Sequence, residues 1–146
     1  MTKLQEHTGK KASELVVGDK AHMSKTISES DVYMFAGITG DFNPAHINEE
    51  YAKETPFNTR IAHGMLGAGM ISAVLGMKLP GPGTIYLSQE LSFKKPVLIG
   101  DTITAEAEVV ELVDKGKFVI CEITTRCMNQ HDEVVIEGKA KVIPPK

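Results

Sequence analysis

A chain of 146 residues predicts one domain spanning residues 1–146, long enough to bury most of the apolar surface that its unfolded form exposes. The formal net charge of -3, with no run of Lys and Arg interleaved with aromatics, argues against nucleic acid as a partner. Two cysteines and five histidines without zinc-finger spacing argue against a structural metal.

The opening MTKLQEHTGKKASEL has no apolar stretch behind its basic residues, so it reads as a polar lead-in and not as a secretory signal. An extended piece is expected near Gly18 to Thr26. Hydroxyl groups between Thr26 and Ser30 can cap a helix in which Val32, Phe35, Ala36 and Thr39 recur at helical spacing, and Gly40 ends it. Asn48 can cap a second short helix that runs through Glu54, with Glu49 and Glu50 at its positive end and Pro56 beyond it.

IAHGMLGAGMISAVLGMK, Ile61 to Lys78, has His63 as its only ionisable group before Lys78 and is apolar or small on every face. That pattern predicts a core helix surrounded by protein. It is shorter than the roughly 20 apolar residues that a membrane span needs, and it contains Gly64, Gly67, Gly69 and Gly76. Pro80 to Gly83 reads as a stiff turn.

Strand patterns fill the rest. TIYLSQELSFKKPV, 84 to 97, ends at Pro96, and from Asp101 the chain alternates with Ile103, Ala105, Ala107 and Val109 on one face. After the Asp114-Lys115-Gly116 turn, residues 117 to 128 form the next strand, and 133 to 143 another, with Val134, Ile136, Gly138, Ala140 and Val142 on one side. Four consecutive strands of this kind predict a meander. Cys121 and Cys127, six apart in one strand, are expected to be free buried thiols of a reducing cytoplasm. The fold class that follows is α+β, an antiparallel sheet of five or six strands wrapped around a central apolar helix.

The chemistry concentrates in Asp41-Phe-Asn-Pro-Ala-His46. Pro44 biases Asn43 away from helical angles, so an extended or turned loop is expected at both Asp41 and His46. Capping of backbone amides would by itself account for Asp41, Asn43 and Asn48. A carboxylate and an imidazole five residues apart can also share one water as proton acceptor and donor. Downstream, His63-Gly64 opens the core helix, whose unpaired first-turn amides suit an oxygen that gains negative charge. Together these parts suit addition of water to, or its loss from, a double bond conjugated to a carbonyl, and a hydrolase could use the same components.

FAGITGDFNPAHINEEYAKET followed by RIAHGMLGAGMIS resembles the signature of the MaoC-like, hydratase 2 family of (R)-specific enoyl-CoA hydratases. The similarity runs from Phe35 to Ser72 in the motif, and the helix-then-strands order extends it over nearly the whole chain. The resemblance implies a hot-dog fold and a catalytic dyad of Asp41 and His46. It also implies an oxyanion site that includes the Gly64 amide, with Asn43 and Ser72 on the substrate side. A buried Ser72 bonding back to its own helix is an equal account of that residue. The implied reaction is hydration of trans-2-enoyl-CoA to (R)-3-hydroxyacyl-CoA by syn addition, reversible and without a cofactor, in a homodimer or dimer of dimers.

The alternatives keep the site or discard it. A 3-hydroxyacyl-[acyl-carrier-protein] dehydratase would share the dyad, whereas a non-catalytic hot-dog module would only bind acyl thioesters. A structural hydrogen bond is the favoured role of His63, although Asp41, His46 and His63 also have the donor types of a metal site. No G-x-S-x-G elbow occurs, and the glycine patterns lack the dinucleotide setting, so covalent acyl transfer, nicotinamide and flavin are not indicated. Lys94 and Lys95 could meet a CoA phosphate, but a solvated strand end explains them. His7, His22 and His131 are expected to be exposed.

Overall fold

The computed structural model describes residues 7–146, so the first six residues of the polar lead-in lie outside the described residues. In chain order the elements are β1 (Lys20–Thr26), α1 (Glu29–Thr39), α2 (Pro44–Ile47), α3 (Glu49–Lys53) and α4 (Gly64–Met77). Four strands follow: β2 (Ile85–Phe93), β3 (Thr102–Asp114), β4 (Val119–Met128) and β5 (Val134–Ile143).

Local chemistry sets the helix ends. Ser28 and Asp31 form a reciprocal capping box, with Asp31 N donating to Ser28 Oγ at 3.1 Å and Ser28 N to Asp31 Oδ2 at 2.9 Å. Gly40 closes α1 at φ +79°, a left-handed angle that costs glycine nothing. The Asn48 side chain accepts from Tyr51 N at 3.1 Å and starts α3 where the sequence places it.

The sheet has the order β1-β3-β4-β5-β2, all neighbours antiparallel. The expected four-strand meander is therefore corrected. β3, β4 and β5 follow one another, but β2 lies beside β5 at the far edge instead of beside β3. The edge of β3 is taken by β1, which pairs with it from Lys20↔Glu108 to Thr26↔Thr102 and bonds hydroxyl to hydroxyl at Ser24–Thr104 and Thr26–Thr102.

Inward residues of the sheet face α4. Ile103, Ala105, Ala107 and Val109 are all buried, as their alternation requires, and Cys121, Ile123 and Cys127 continue the same layer on β4. Ile71, Val74 and Leu75 meet them from the helix at 1% exposure or less, which is worth about 1.5–3 kcal/mol for each side chain. Both cysteines are free and buried, and burial pushes their thiols up to about 11 and about 12. His7, His22 and His131 are exposed.

The core helix is not surrounded. Met65 is 56% exposed and Met77 71% exposed, and Gly69, Ser72 and Gly76 are exposed on the same element. A single curved sheet covers one side of a helix, and here the other side carries mostly glycine, alanine and serine. An apolar reading of every face recorded what could be covered, while the sheet covers only part of it.

Gly138 marks the tightest backbone approach in the sheet. A Cβ there would stand 1.8 Å from the Glu90 carbonyl oxygen on β2, a backbone atom that cannot step aside. Gly138→Ala is expected to cost about 1–3 kcal/mol. Gly37→Ala in α1, where a Cβ meets nothing within 4 Å, should add roughly 0.5–1 kcal/mol. Urea midpoints at constant slope check both signs.

Candidate active site

The loop after Gly40 holds Asp41, and a turn of helix holds His46. The expectation of an extended or turned segment is met at Asn43, with φ -51° and ψ 124°, and corrected at His46, which lies in α2. Pro44 restricts the residue before it, yet its own fixed φ suits the first position of a helix. Asn43 Oδ1 accepts from Ala45 N at 3.1 Å and caps that helix. Asp41 Oδ1 accepts from Asn43 N at 3.2 Å.

Two histidine rings are fixed by backbone carbonyls. His46 Nδ1 stands 2.6 Å from the Ile61 carbonyl oxygen, and His63 Nε2 stands 2.9 Å from the Asp41 carbonyl oxygen. A carbonyl only accepts, so each of these nitrogens carries the hydrogen. In the singly protonated ring, His46 Nε2 then has the free lone pair. The rings lie 3.9 Å apart between centroids, with Phe35 4.8 Å from the His63 ring. Asp41, His46 and His63 each offer a donor atom, and these atoms lie within 4.8 Å of one another. A water bonded to two such atoms at about 2.8 Å, with a tetrahedral angle, sets them about 4.6 Å apart. The geometry therefore fits one shared water.

Gly64 begins α4 beside this pair. Among the described residues neither the Gly64 nor the Met65 amide meets an acceptor, and both sit at the positive end of a helix of 14 residues. A Cβ on Gly64 would lie 2.7 Å from the Phe93 ring, so glycine lets that ring pack against the start of the helix. A cleft of about 510 Å³ opens here, lined by His46, Phe57, Gly64, Met65, Phe93 and Ile136. A larger hollow of about 720 Å³ lies between Thr8 to Glu14 and Pro80 to Pro82. It contains none of the Asp41, His46 or Gly64 chemistry, and side-chain chemistry decides the site, not volume.

The structure brings Asp41, His46 and His63 together, has His46 share the cleft with Gly64, and leaves Ser72 out. Ser72 is exposed on the open side of α4 and does not line the cleft, so neither a buried back-bonded serine nor a residue of this cleft describes it in the single chain. Lys94 and Lys95 do line the cleft, and each is paired, Lys94 with Glu137 at 3.1 Å and Lys95 with Glu133. His63 makes the structural hydrogen bond expected of it.

Sequence reasoning missed Arg60, which no local signal marks. Its Nε donates to Glu49 Oε2 at 2.9 Å, and its guanidinium also donates to Glu29 Oε1 and Tyr33 Oη, both at 2.7 Å. The result ties α1 and α3 to the segment that carries Ile61. The Thr59 hydroxyl and Arg60 hold the Glu49 carboxyl below its ordinary 4.5, and Arg60 and Tyr33 do the same for Glu29.

Because these carboxyls are depressed in the folded state, their contribution is complete above pH 4.5 and is lost as pH falls through the lowered folded values. Arg60→Ala should lower Tm at neutral pH, with the gap to the parent protein closing in acid below that value. Paired thermal melts across pH check it.

The profile of the MaoC-like domain family matches residues 14–131. The (R)-specific enoyl-CoA hydratase of Rhodospirillum rubrum is 58% identical over 88% of this chain and 87% of its own length. The 3-hydroxybutyryl-CoA dehydratase of Methylorubrum extorquens is 50% identical over 91% of this chain and 83% of its own. Among solved structures, the unliganded R-hydratase of Pseudomonas aeruginosa superposes with a TM-score of 0.89 at 43% identity, covering 94% of this chain and 87% of that one. The hot-dog fold implied by the motif is thereby shown.

Proposed function

The chain belongs to the MaoC-like domain family, and on that premise we propose that it is an (R)-specific enoyl-CoA hydratase acting on trans-2-enoyl-CoA. One observation carries the reading: the Asp41 and His46 donor atoms lie within 4.8 Å, a spacing for one shared water, and His46 lines the same cleft as Gly64 and Met65, whose amides are open.

The thioester carbonyl accepts from the first-turn amides of α4. As electron density moves onto that oxygen, the helix end stabilises the enolate that forms, an interaction stronger in the transition state than in the bound substrate. The dyad removes one proton from the water while its oxygen bonds to C3 of the substrate. The proton then passes from the dyad to C2, so one H and one OH are added and nothing is oxidised or reduced. A single dyad serves both carbons, and both additions come from one face, which is syn. Two groups on one water titrate as a pair, so the base is assigned to Asp41 and His46 jointly.

His63 holds the Asp41 backbone through its Nε2 hydrogen, and Ile61 fixes which His46 nitrogen faces the water. The apolar cleft walls of Phe57, Met65, Phe93 and Ile136 suit the acyl chain, and none of these steps calls on a cofactor. No helix is long and apolar enough to cross a membrane among the described residues. A cytoplasmic setting suits the two free buried thiols. We also read the chain as a homodimer, because the open side of α4, from Met65 through Gly69 and Ser72 to Gly76, is apolar or small and needs a cover.

Asp41→Asn and His46→Ala are each expected to lower kcat about 100-fold or more, with the melting transition kept. Loss of the conjugated thioester absorbance of crotonyl-CoA is the measurement, and near-parental turnover in either variant would overturn the dyad. Faster turnover of a carrier-protein substrate than of the CoA thioester would move the assignment to a carrier-protein dehydratase. Sedimentation velocity that returned monomer alone would remove the dimer.

A further inference from the structure

His63 Nδ1 is buried, in a ring only 3% exposed, and among the described residues it has no hydrogen-bond partner. An orphaned polar atom in such a place is destabilising unless something meets it. Its opposite nitrogen donates to the Asp41 carbonyl, which leaves Nδ1 with a lone pair, as the Ile61 carbonyl leaves one on His46 Nε2. Two imidazoles, each with its far N–H anchored on a backbone carbonyl, reproduce the outer-shell arrangement that orients histidines toward metals. The Asp41 carboxylate supplies a third donor, and one atom from each of the three lies within 4.8 Å of the others.

We propose that Asp41, His46 and His63 form an inhibitory site for a divalent transition ion of the zinc class, which takes the place of the catalytic water. Two imidazoles and a carboxylate are the donor set that such ions prefer over calcium or magnesium. Zinc bonds of about 2.0–2.1 Å would draw tetrahedral donors to about 3.3 Å, closer than the spacing of a shared water. The exposed Asp41 side chain can swing in for its part of that closure, and the two rings, stacked 3.9 Å apart at 32°, must turn on their carbonyl anchors for both lone pairs to meet one ion. An ion so held occupies the lone pairs that the dyad needs for the proton of water, and hydration stops. The inhibitory half of this inference rests on the proposed hydratase reading, whereas the ion site itself does not.

Chelator-treated full-length protein titrated with cobalt(II) is expected to develop a visible d–d absorption at one ion per chain, which zinc(II) then bleaches. Zinc should abolish crotonyl-CoA hydration with the same stoichiometry, and a chelator should restore it. His63→Gln, checked by circular dichroism, should weaken cobalt binding about tenfold or more. Heteronuclear NMR of the imidazole nitrogens in the parent chain should show zinc shifting His46 and His63 and leaving His22 and His131 in place. No cobalt band, a band that His63→Gln leaves unchanged, or zinc shifts confined to other histidines would overturn the site. A band with hydration undiminished would overturn the inhibition. A band in a protein that never hydrates crotonyl-CoA would support the ion site and overturn the hydratase reading.

Discussion

The backbone of Ile61 is the joint on which the site depends. Its N–H donates to the Ala45 carbonyl at 3.2 Å and its own carbonyl takes the His46 Nδ1 hydrogen at 2.6 Å. The next amide, Ala62 N, donates to Val97 O at 2.7 Å, and Ile61 forms a bridge with Leu98. One short extended segment thus binds α2 on one side and the sheet periphery on the other, and it leads directly into α4. The position of the imidazole relative to the helix amides is set by main-chain hydrogen bonds, which have little freedom to drift.

The site is assembled without an excess of charge. One carboxylate, one imidazole and the end of a helix are the groups of the proposed chemistry, and a second imidazole, His63, holds the Asp41 backbone. Lysines at the cleft are neutralised by Glu133 and Glu137. Dipoles fixed in advance stabilise a developing negative oxygen without having to reorganise, which an exposed lysine on a flexible stem could not do as well. In the proposed reading, the lone pairs that would take the proton of water are also the ones that a zinc-class cation would seek.

Helix α4 shows how a single apolar segment serves two ends. Its inner side, Ile71, Val74 and Leu75, closes the core, and its first turn presents unpaired amides to the cleft. Its outer side is small enough for close approach by another backbone. Gly67 follows the same logic inward, where a Cβ would lie 2.5 Å from Ile136 Cδ1.

Much of this was legible from the chain alone. The alternation of Ile103, Ala105, Ala107 and Val109, a hydroxyl cap between Thr26 and Ser30, the Asn48 cap, the Gly40 stop and the Asp41 to His46 motif are local patterns, governed by periods and neighbours a few residues apart. Such patterns name elements and donor types. Only the tertiary structure decided that β2 crosses to β5, that α4 is open on one side and that Ser72 lies there. It alone brought Arg60 to Glu29, and the carbonyls of Ile61 and Asp41 to the two histidine rings. Those outcomes depend on which distant backbone groups come within about 3 Å of each other, and a backbone carbonyl is the same in every residue, so sequence carries no mark of it.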